Sequence, residues 1–240
     1  MSDATLMPDL KAVIFDFDGT IIDTESTAFH AWKSIYREHG HELRVEEYAQ
    51  CIGTNHAIFN PQTVLASRVA HEIDWDEVTP RRRMLERELL SRQKIAPGVS
   101  ELVEAARRKG LRLAIGSSSP RKWIDHVMPL PDADRIFDAV VTSDEAPPKP
   151  LPDIFLVALD RLGISAAEAV VIEDSPNGAL AAHRAGIFCI TVPNAITRLL
   201  RFEHGDLRVE SLAAITLDQI CNAHRRHRLA RAKASPEAKP

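Results

Sequence analysis

Short apolar runs, each rich in valine and isoleucine, recur at wide intervals along this chain. They are nearly continuous rather than alternating, which is typical of strands buried on both faces of a sheet. Segments with helical periodicity lie between the later runs and end at glycines, which are common at helix C-termini. This alternation predicts a parallel α/β sheet with helices on both faces. The runs are AVIFDF (12–17), LRLAIG (111–116), DAVVT (138–142), AVVIED (169–174) and FCITV (188–192).

The gap between the first two runs indicates an inserted domain. About ninety residues separate them, far more than one crossover helix needs. The stretch between them is helical in period, highly charged and poor in strand formers. We therefore predict a discontinuous core domain, 1–23 and 93–221, and a small all-helical cap domain at 24–92. The arginine-rich run at 80–94 is interpreted as the solvent-facing side of a cap helix. Residues 222–240 are basic, lack apolar periodicity and are predicted to form a frayed helix end and a disordered tail.

Composition restricts the partners and the compartment. The chain is 45% hydrophobic and 27% charged, as in ordinary globular proteins, and its net charge of −4 argues against a bulk polyanion partner. No apolar run approaches the roughly 18 residues that span a bilayer, and no signal peptide is visible. The three cysteines lie far apart, which favours reduced thiols over disulfides or a zinc site. We expect a cytoplasmic monomer or weak dimer that binds neither nucleic acid nor membranes.

Polar side chains follow four of the predicted strands. Ligands of an open parallel sheet bind beyond the carboxyl ends of its strands, so these side chains should meet at one edge. Clustered carboxylates repel one another, and a hard cation such as Mg²⁺ would neutralise them. An ammonium group, together with the hydroxyl and the backbone N–H of Ser117, could then hold a phosphate. The side chains are those of Asp16, Asp18, Thr20, Ser117, Ser118, Ser119, Lys149, Glu173 and Asp174.

Four segments in this order resemble the motifs of the haloacid dehalogenase (HAD) superfamily: DFDGT, GSSS, KPLPDIF and VIEDSPNGALAAHRAG. The resemblance covers roughly residues 11–200. The helical insert is similar to the small C1 cap of that superfamily. KPLPDIF and IEDSPNG resemble, more narrowly, the branch that holds β-phosphoglucomutases and sugar-phosphate phosphatases. The resemblance implies a Rossmann-like core with an inserted cap.

The resemblance also implies a role for each side chain. Asp16 would be the nucleophile that forms an aspartyl phosphate, and Asp18 would act as general acid and then as general base. Magnesium would be held by Asp16, the backbone carbonyl of Asp18 and Asp174, while Glu173 would either bind it or act through a water. The phosphoryl oxygens would contact Thr20, Ser117, Ser118 and Lys149.

In the cap, the segment GTNH (53–56) lies where proteins of this branch contact the part of the substrate beyond the reacting phosphate. His56 and Asn55, and also Thr54, are therefore candidates for substrate contacts. The leading hypothesis is a Mg²⁺-dependent phosphatase that hydrolyses small phosphate monoesters, such as sugar phosphates or similar metabolites.

Two alternatives remain, a hexose phosphomutase and a non-catalytic phosphoacceptor switch. Mutases of this branch carry a histidine ten residues beyond the second aspartate, where this chain has Ala28. His30 should face away, since it lies two residues further along a helix. The arginine that grips a second phosphate in mutases corresponds to His56. A switch would need neither Asp18 nor a large insert. These differences favour the hydrolase.

Overall fold

Six strands, each parallel to its neighbours, form one sheet in the described part of the chain. The computed structural model describes residues 10–52, 59–128 and 133–234. The strands are β1 (Ala12–Phe15), β2 (Arg112–Gly116), β3 (Ala139–Val141), β4 (Ala169–Glu173), β5 (Phe188–Thr191) and β6 (Leu207–Arg208). Their order across the sheet is β3-β2-β1-β4-β5-β6. This arrangement confirms the predicted parallel α/β fold.

Strand β1 lies in the middle of the sheet and is completely buried. Val13 pairs with Leu113 of β2 on one side and with Val170 of β4 on the other. The apolar side chains of these strands therefore point alternately into two separate cores. The strand β6 was not predicted, because it is only two residues long and carries the exposed Arg208 instead of an apolar run.

Helices cover both faces of the sheet. One core contains Leu102, Ile124 and Ile220 from helices on the first face, and the other contains Phe155 and Ala182 from the second. The first-face helices are α5 (Val99–Arg108), α6 (Arg121–Val127), α7 (Ala133–Ile136) and α10 (Leu217–Ala234), and the second-face helices are α8 (Asp153–Leu162) and α9 (Pro176–Arg184). No described helix is both long and apolar enough to cross a membrane.

Four further helices lie between β1 and β2: α1 (Thr24–Glu38), α2 (Val45–Tyr48), α3 (Pro61–Arg68) and α4 (Trp75–Leu90). They have a hydrophobic cluster of their own, in which Ile35, Tyr36 and Leu65 are fully buried. The side chains of Asp23, Asn60 and Asp74 accept hydrogen bonds from backbone N–H groups at the starts of α1, α3 and α4. These helices occupy the predicted insert, and the domain boundaries drawn above stay a prediction.

The two connections between the insert and the core run side by side. The backbone N–H of Ala96 donates to the carbonyl of Ile21 at 2.8 Å, and Ile22 forms an isolated bridge with Ile95. The cluster of the insert also includes Ile196, from the segment after β5. The insert is thereby held above the carboxyl ends of the strands.

The prediction of a disordered tail from residue 222 was wrong for residues 222–234, which continue α10. Leu217, Ile220 and His224 are buried at positions i, i+3 and i+7 of this helix, so they share one face. His224 packs edge-on against Phe188, with 5.8 Å between the ring centroids. The apolar pattern missed this face because a histidine occupies its third position. Residues 235–240 lie outside the described residues.

Candidate active site

The predicted polar side chains at the strand ends lie together because β1 is flanked by β2 and β4. Asp16 follows β1 directly, Ser117 follows β2, and Glu173 closes β4 with Asp174 behind it. Each of these four residues is buried. The carboxyl edge of the sheet is thus lined with acids and a hydroxyl instead of apolar groups.

Lys149 reaches this edge from the loop that follows β3. Its ammonium donates hydrogen bonds to Asp16 Oδ1 and Glu173 Oε1. Its side chain is only 5% exposed. The Lys149 backbone N–H donates to Ser118 Oγ at 3.1 Å, which fixes the loop against the end of β2. Burial acts to lower the pKa of Lys149, but the Asp16 and Glu173 carboxylates outweigh it and raise that pKa.

Asp16, Glu173 and Asp174 form a cluster in which one oxygen of each lies within 4.8 Å of the others. Burial, with the nearby charge of Glu173, raises the pKa of Asp16 to about 7 even though Lys149 opposes the shift. Burial and the charge of Asp16 also raise the pKa of Asp174. A single ammonium group does not compensate the charge of three buried carboxylates, so a further cation bound at the cluster would be stabilised.

Two glycines leave space for this cluster. Gly19 has a φ of +80°, and a Cβ there would lie 2.2 Å from Asp174 Oδ2. A Cβ at Gly178, in the first turn of α9, would lie 1.9 Å from the carboxyl carbon of Glu173. Any side chain at either position would displace a carboxylate of the cluster.

Asp18 lies in different surroundings from Asp16. Its carboxylate accepts hydrogen bonds from Ser119 Oγ at 2.6 Å and from Trp123 Nε1 at 2.8 Å. Asp18 also accepts from the Ser117 hydroxyl at 3.5 Å, and all three donors are neutral, whereas Asp16 is bound by the Lys149 ammonium. The two aspartates are therefore held by chemically distinct partners.

Glu173 has both oxygens engaged. Oε1 accepts from Lys149, while Oε2 accepts from the backbone N–H of Ser175 at 3.2 Å and from its hydroxyl at 3.0 Å. Asp174 Oδ2 accepts from Asn194 Nδ2 at 2.7 Å. These contacts orient the acids of β4, and Asn194 was not among the predicted site residues.

The predicted phosphate contacts of the sheet edge need one correction. The backbone N–H of Ser117 donates to the carbonyl of Val141 at 3.0 Å, so it extends the pairing of β2 with β3 and is not free for a phosphate. The Ser117 hydroxyl accepts from the backbone N–H of Ser119 at 3.0 Å and donates to Asp18 Oδ2 at 3.5 Å. Thr20 Oγ1 is buried and has no hydrogen-bond partner among the described residues.

A cavity of about 460 Å³ lies over these groups and is bordered on its other side by the inserted segment. Asp16, Asp18, Ser117, Lys149 and Asp174 line its floor. The inserted segment contributes Thr24, Glu25, Ala28, Tyr48, Cys51, Ile52 and Glu86. The cavity has the size and the mixed walls of a site for a small molecule.

Glu25 is a cavity residue that the sequence analysis missed. It lies deep in the molecule but faces the cavity, so part of its side chain stays accessible. Burial, with the charges of Asp18 and Asp16, raises its pKa to about 8, so it carries a proton at neutral pH. Its position directly after Thr24, at the start of α1, could have indicated a side chain above the first motif.

The structure describes only some of the other cap residues named in the sequence analysis. Ala28 lines the cavity and His30 is exposed, as expected from the helical spacing. Thr54, Asn55 and His56 lie outside the described residues, so their predicted substrate contacts stay predictions.

The chain belongs to the haloacid dehalogenase-like hydrolase family, whose sequence profile matches residues 10–186. It is therefore a hydrolase. The resemblance in the four motifs is confirmed by this match and by relatives along most of the chain.

"Putative phosphatase YhcW" from Bacillus subtilis is 38% identical over 210 residues, covering 87% of this chain and 94% of that protein. The "Phosphorylated carbohydrates phosphatase" of Thermotoga maritima is 30% identical over 181 residues, covering 74% of this chain and 82% of that protein. A crystal structure of CbbY from Rhodobacter sphaeroides in complex with phosphate is 26% identical, with a TM-score of 0.67, covering 88% of this chain and 98% of that one.

Proposed function

We propose that this hydrolase is a phosphatase of small phosphate monoesters in which Asp16 attacks phosphorus and forms an aspartyl phosphate. The observation that carries the proposal is the placement of Asp16 on the cavity floor, next to Lys149 and to a second aspartate in different surroundings. Family membership and the phosphatase relatives agree with this chemistry.

The surroundings of the two aspartates support different roles. Lys149 holds an oxygen of Asp16, which keeps this carboxylate in place as a nucleophile. Asp18 is bound only by neutral donors, so it can carry a proton to the leaving oxygen and then accept one from water. Two acids with distinct environments are the arrangement that acid–base catalysis needs.

We propose Mg²⁺ as the cofactor, because the donor set fits a hard cation. Asp16 and Asp174 offer carboxylate oxygens in the acidic cluster, and the backbone carbonyl of Asp18 would add a third ligand. Glu173 would bind directly or through a water, and its existing contacts with Lys149 and Ser175 favour the water-mediated role. The cation would neutralise the crowded acids and draw charge from the phosphoryl group.

The phosphoryl oxygens would be held by side chains of the cavity floor. The Lys149 ammonium lies beside Asp16, where the phosphoryl group must arrive. Thr20 has a buried hydroxyl without a partner among the described residues, and the Ser117 hydroxyl would exchange its long 3.5 Å hydrogen bond to Asp18 for a phosphoryl oxygen. Ser118 accepts from the Lys149 backbone, so its main contribution is to position that loop. Such donors stabilise the charge that spreads over the phosphoryl oxygens in the transition state.

The substrate class is a small phosphorylated metabolite, such as a sugar phosphate. The cavity of about 460 Å³ suits a molecule of that size, and the Thermotoga relative is named for phosphorylated carbohydrates. A cytoplasmic location, a monomeric or weakly dimeric state, and the lack of nucleic-acid or membrane partners stay predictions.

A hexose phosphomutase of the same family is the alternative. Ala28 lines the cavity where a mutase carries a histidine, and the exposed His30 does not replace it. We therefore expect phosphate release from glucose 1-phosphate without net isomerisation. Formation of glucose 6-phosphate faster than free phosphate, in the presence of a catalytic amount of the bisphosphate, would favour the mutase.

A screen of phosphorylated metabolites with Mg²⁺, reporting free phosphate, tests the proposal. We expect release from several monoesters, loss of activity in excess chelator, and inhibition by Ca²⁺, which takes more ligands at longer distances than Mg²⁺. Full activity in excess chelator would contradict the metal-assisted mechanism, and the absence of any release would contradict the phosphatase itself.

A further inference from the structure

The two carboxylate oxygens of Asp18 are held by donors of different kinds. Oδ1 accepts a hydrogen bond from the indole Nε1 of Trp123 at 2.8 Å. Oδ2 accepts from the hydroxyl of Ser119 at 2.6 Å and, over a longer distance of 3.5 Å, from the hydroxyl of Ser117. None of the roles assigned so far involves Trp123.

These donors differ in what they can do when the carboxyl group of Asp18 carries a proton. The indole N–H of Trp123 only donates, so the oxygen that it contacts must stay an acceptor. A serine hydroxyl both donates and accepts, so Ser119 can accept from its partner oxygen once that oxygen is protonated. The carboxyl proton is therefore compatible with Oδ2 and not with Oδ1. The contacts distinguish two oxygens that are equivalent in a free carboxylate.

Oδ2 also lies on the side of the carboxylate that faces the reacting group. Ser117, which contacts Oδ2, lines the floor of the cavity together with Asp16. Oδ1 faces the indole of Trp123, which borders the same cavity from α6. A proton on Oδ2 is thus next to the serine that is proposed to contact the phosphoryl group, where the leaving oxygen must depart.

The helix that carries Trp123 is anchored at its start. The backbone N–H of Arg121 donates to Asp144 Oδ2, in the loop after β3, at 2.8 Å. The guanidinium of Arg121 donates to Asp134 of α7 at 2.7 Å. Ile124, which follows Trp123, is fully buried in the core of the first face. The indole is therefore presented by a supported element, as a precisely positioned site requires.

We propose that Trp123 is a positioning residue that holds Asp18 Oδ1 as an acceptor, so that the proton for the leaving oxygen is carried on Oδ2. The inference rests on the proposed phosphatase function and assigns its acid–base step to one atom. Asp16 forms a bond to phosphorus while the bond to the leaving oxygen breaks, and that oxygen keeps the electron pair and takes the proton from Oδ2. In the second step water bonds to phosphorus and returns a proton to Oδ2, while the bond between phosphorus and Asp16 breaks.

Two monoesters that differ in their need for an acid test this inference, benzyl phosphate and 4-nitrophenyl phosphate. Benzyl alcohol leaves poorly unless its oxygen is protonated, whereas 4-nitrophenolate leaves without a proton. Because kcat/KM covers the steps up to the departure of the alcohol, it reports on the acid. In Trp123→Phe we expect kcat/KM to fall by about tenfold for benzyl phosphate, a part of the roughly hundredfold or more that a general acid contributes, and by less than about twofold for 4-nitrophenyl phosphate.

Trp75→Phe is the matched control, the same substitution at an indole that packs against the hydrophobic cluster of the insert. It should leave the ratio of the two kcat/KM values unchanged. An equal loss for both esters in Trp123→Phe, which damage to the fold would cause, would overturn the inference. An undiminished kcat/KM for benzyl phosphate would overturn it as well.

The indole hydrogen bond can also be measured without turnover. In isotope-labelled protein each of the three tryptophans gives an indole N–H signal in the NMR spectrum, and the signal of Trp123 is the one that Trp123→Phe lacks. Asp18→Ala should move this signal and leave those of Trp32 and Trp75 in place. An unmoved Trp123 signal would overturn the inference even if both esters are hydrolysed. The absence of phosphate release from both esters by the wild-type protein would instead contradict the proposed function, and the inference with it.

Discussion

Lys149 is the residue on which the acidic cluster depends in the absence of a metal. Its ammonium contacts both Asp16 and Glu173, and all three side chains are nearly or fully buried. Replacing Lys149 by Met removes the ammonium group that contacts both of these carboxylates. We expect the free energy of unfolding in chelator to fall by about 3 kcal/mol, because an uncompensated buried charge is costly.

Lys11→Met provides the control for this prediction. Lys11 pairs with Glu168 on the surface, and the lysine side chain is 59% exposed. An exposed pair contributes about 0–1 kcal/mol, so urea denaturation should barely detect its loss. Equal effects of the two substitutions would show that the buried contacts of Lys149 are not important for stability.

Glu25 should give the enzyme a pH dependence of its own. Its pKa is raised to about 8, so it is neutral at pH 7 and becomes an anion as the pH rises through 8. That new negative charge faces the cavity and should weaken the binding of an anionic substrate. We expect kcat/KM to fall above pH 8 in the wild type.

Glu25→Gln should abolish this fall, because glutamine does not titrate. The measurement is kcat/KM from pH 6 to 9.5 for both proteins. An identical decline in the variant would assign the pH dependence to another group. Glu88→Gln is the matched control, the same substitution at an exposed glutamate. It should keep the wild-type dependence of kcat/KM on pH, since Glu88 pairs with Arg92 outside the cavity.

At the scale of elements, α10 contributes to the core although its sequence looks like a basic tail. Truncation after Cys221 removes His224 and its contact with Phe188, while truncation after Ala234 leaves the helix whole. We expect the shorter protein to lose about 5 °C in Tm and the longer one to lose almost nothing. Equal Tm values by calorimetry would contradict the packing of this helix.

The strands were easier to predict than this helix. Val13, Val170 and Ile190 lie in strands that are buried on both faces. Such strands appear in the sequence as short continuous apolar runs, which can be recognised without a structure. In α10 the buried face includes His224, a residue that gives no apolar signal. The strand β6 has only two residues, which is too short for any periodicity.

The residues of the candidate site likewise include some that the sequence could predict and some that it could not. Motif residues such as Asp16 and Lys149 could be placed at the sheet edge, because parallel strands bring their carboxyl ends together. Glu25, Trp123 and Asn194 reach the site from elements whose arrangement no single motif specifies. The backbone N–H of Ser117 was predicted to bind phosphate, but it donates to the carbonyl of Val141 in β3. The sequence around Ser117 does not reveal this pairing between strands.

For the whole molecule, the insert should move relative to the core when substrate binds. Its two connections are tied together by Ala96 with Ile21 and by Ile22 with Ile95. We predict hinges near residues 22–24 and 92–98, and closure would exclude water from the cavity. The radius of gyration from X-ray scattering should decrease when Mg²⁺ and a phosphate analogue are added. One fixed value with and without the analogue would contradict closure.

The central claim is that Asp16 is the nucleophile of a phosphatase, and the most direct measurement is phosphate release by Asp16→Asn. The amide fills the same volume but does not attack phosphorus, so we expect a loss of about a thousandfold or more in kcat with the fold intact by circular dichroism. Asp160→Asn, the same change on the exposed side of α8, should keep full activity. An Asp16→Asn protein that retains more than a few per cent of the wild-type rate would contradict the account.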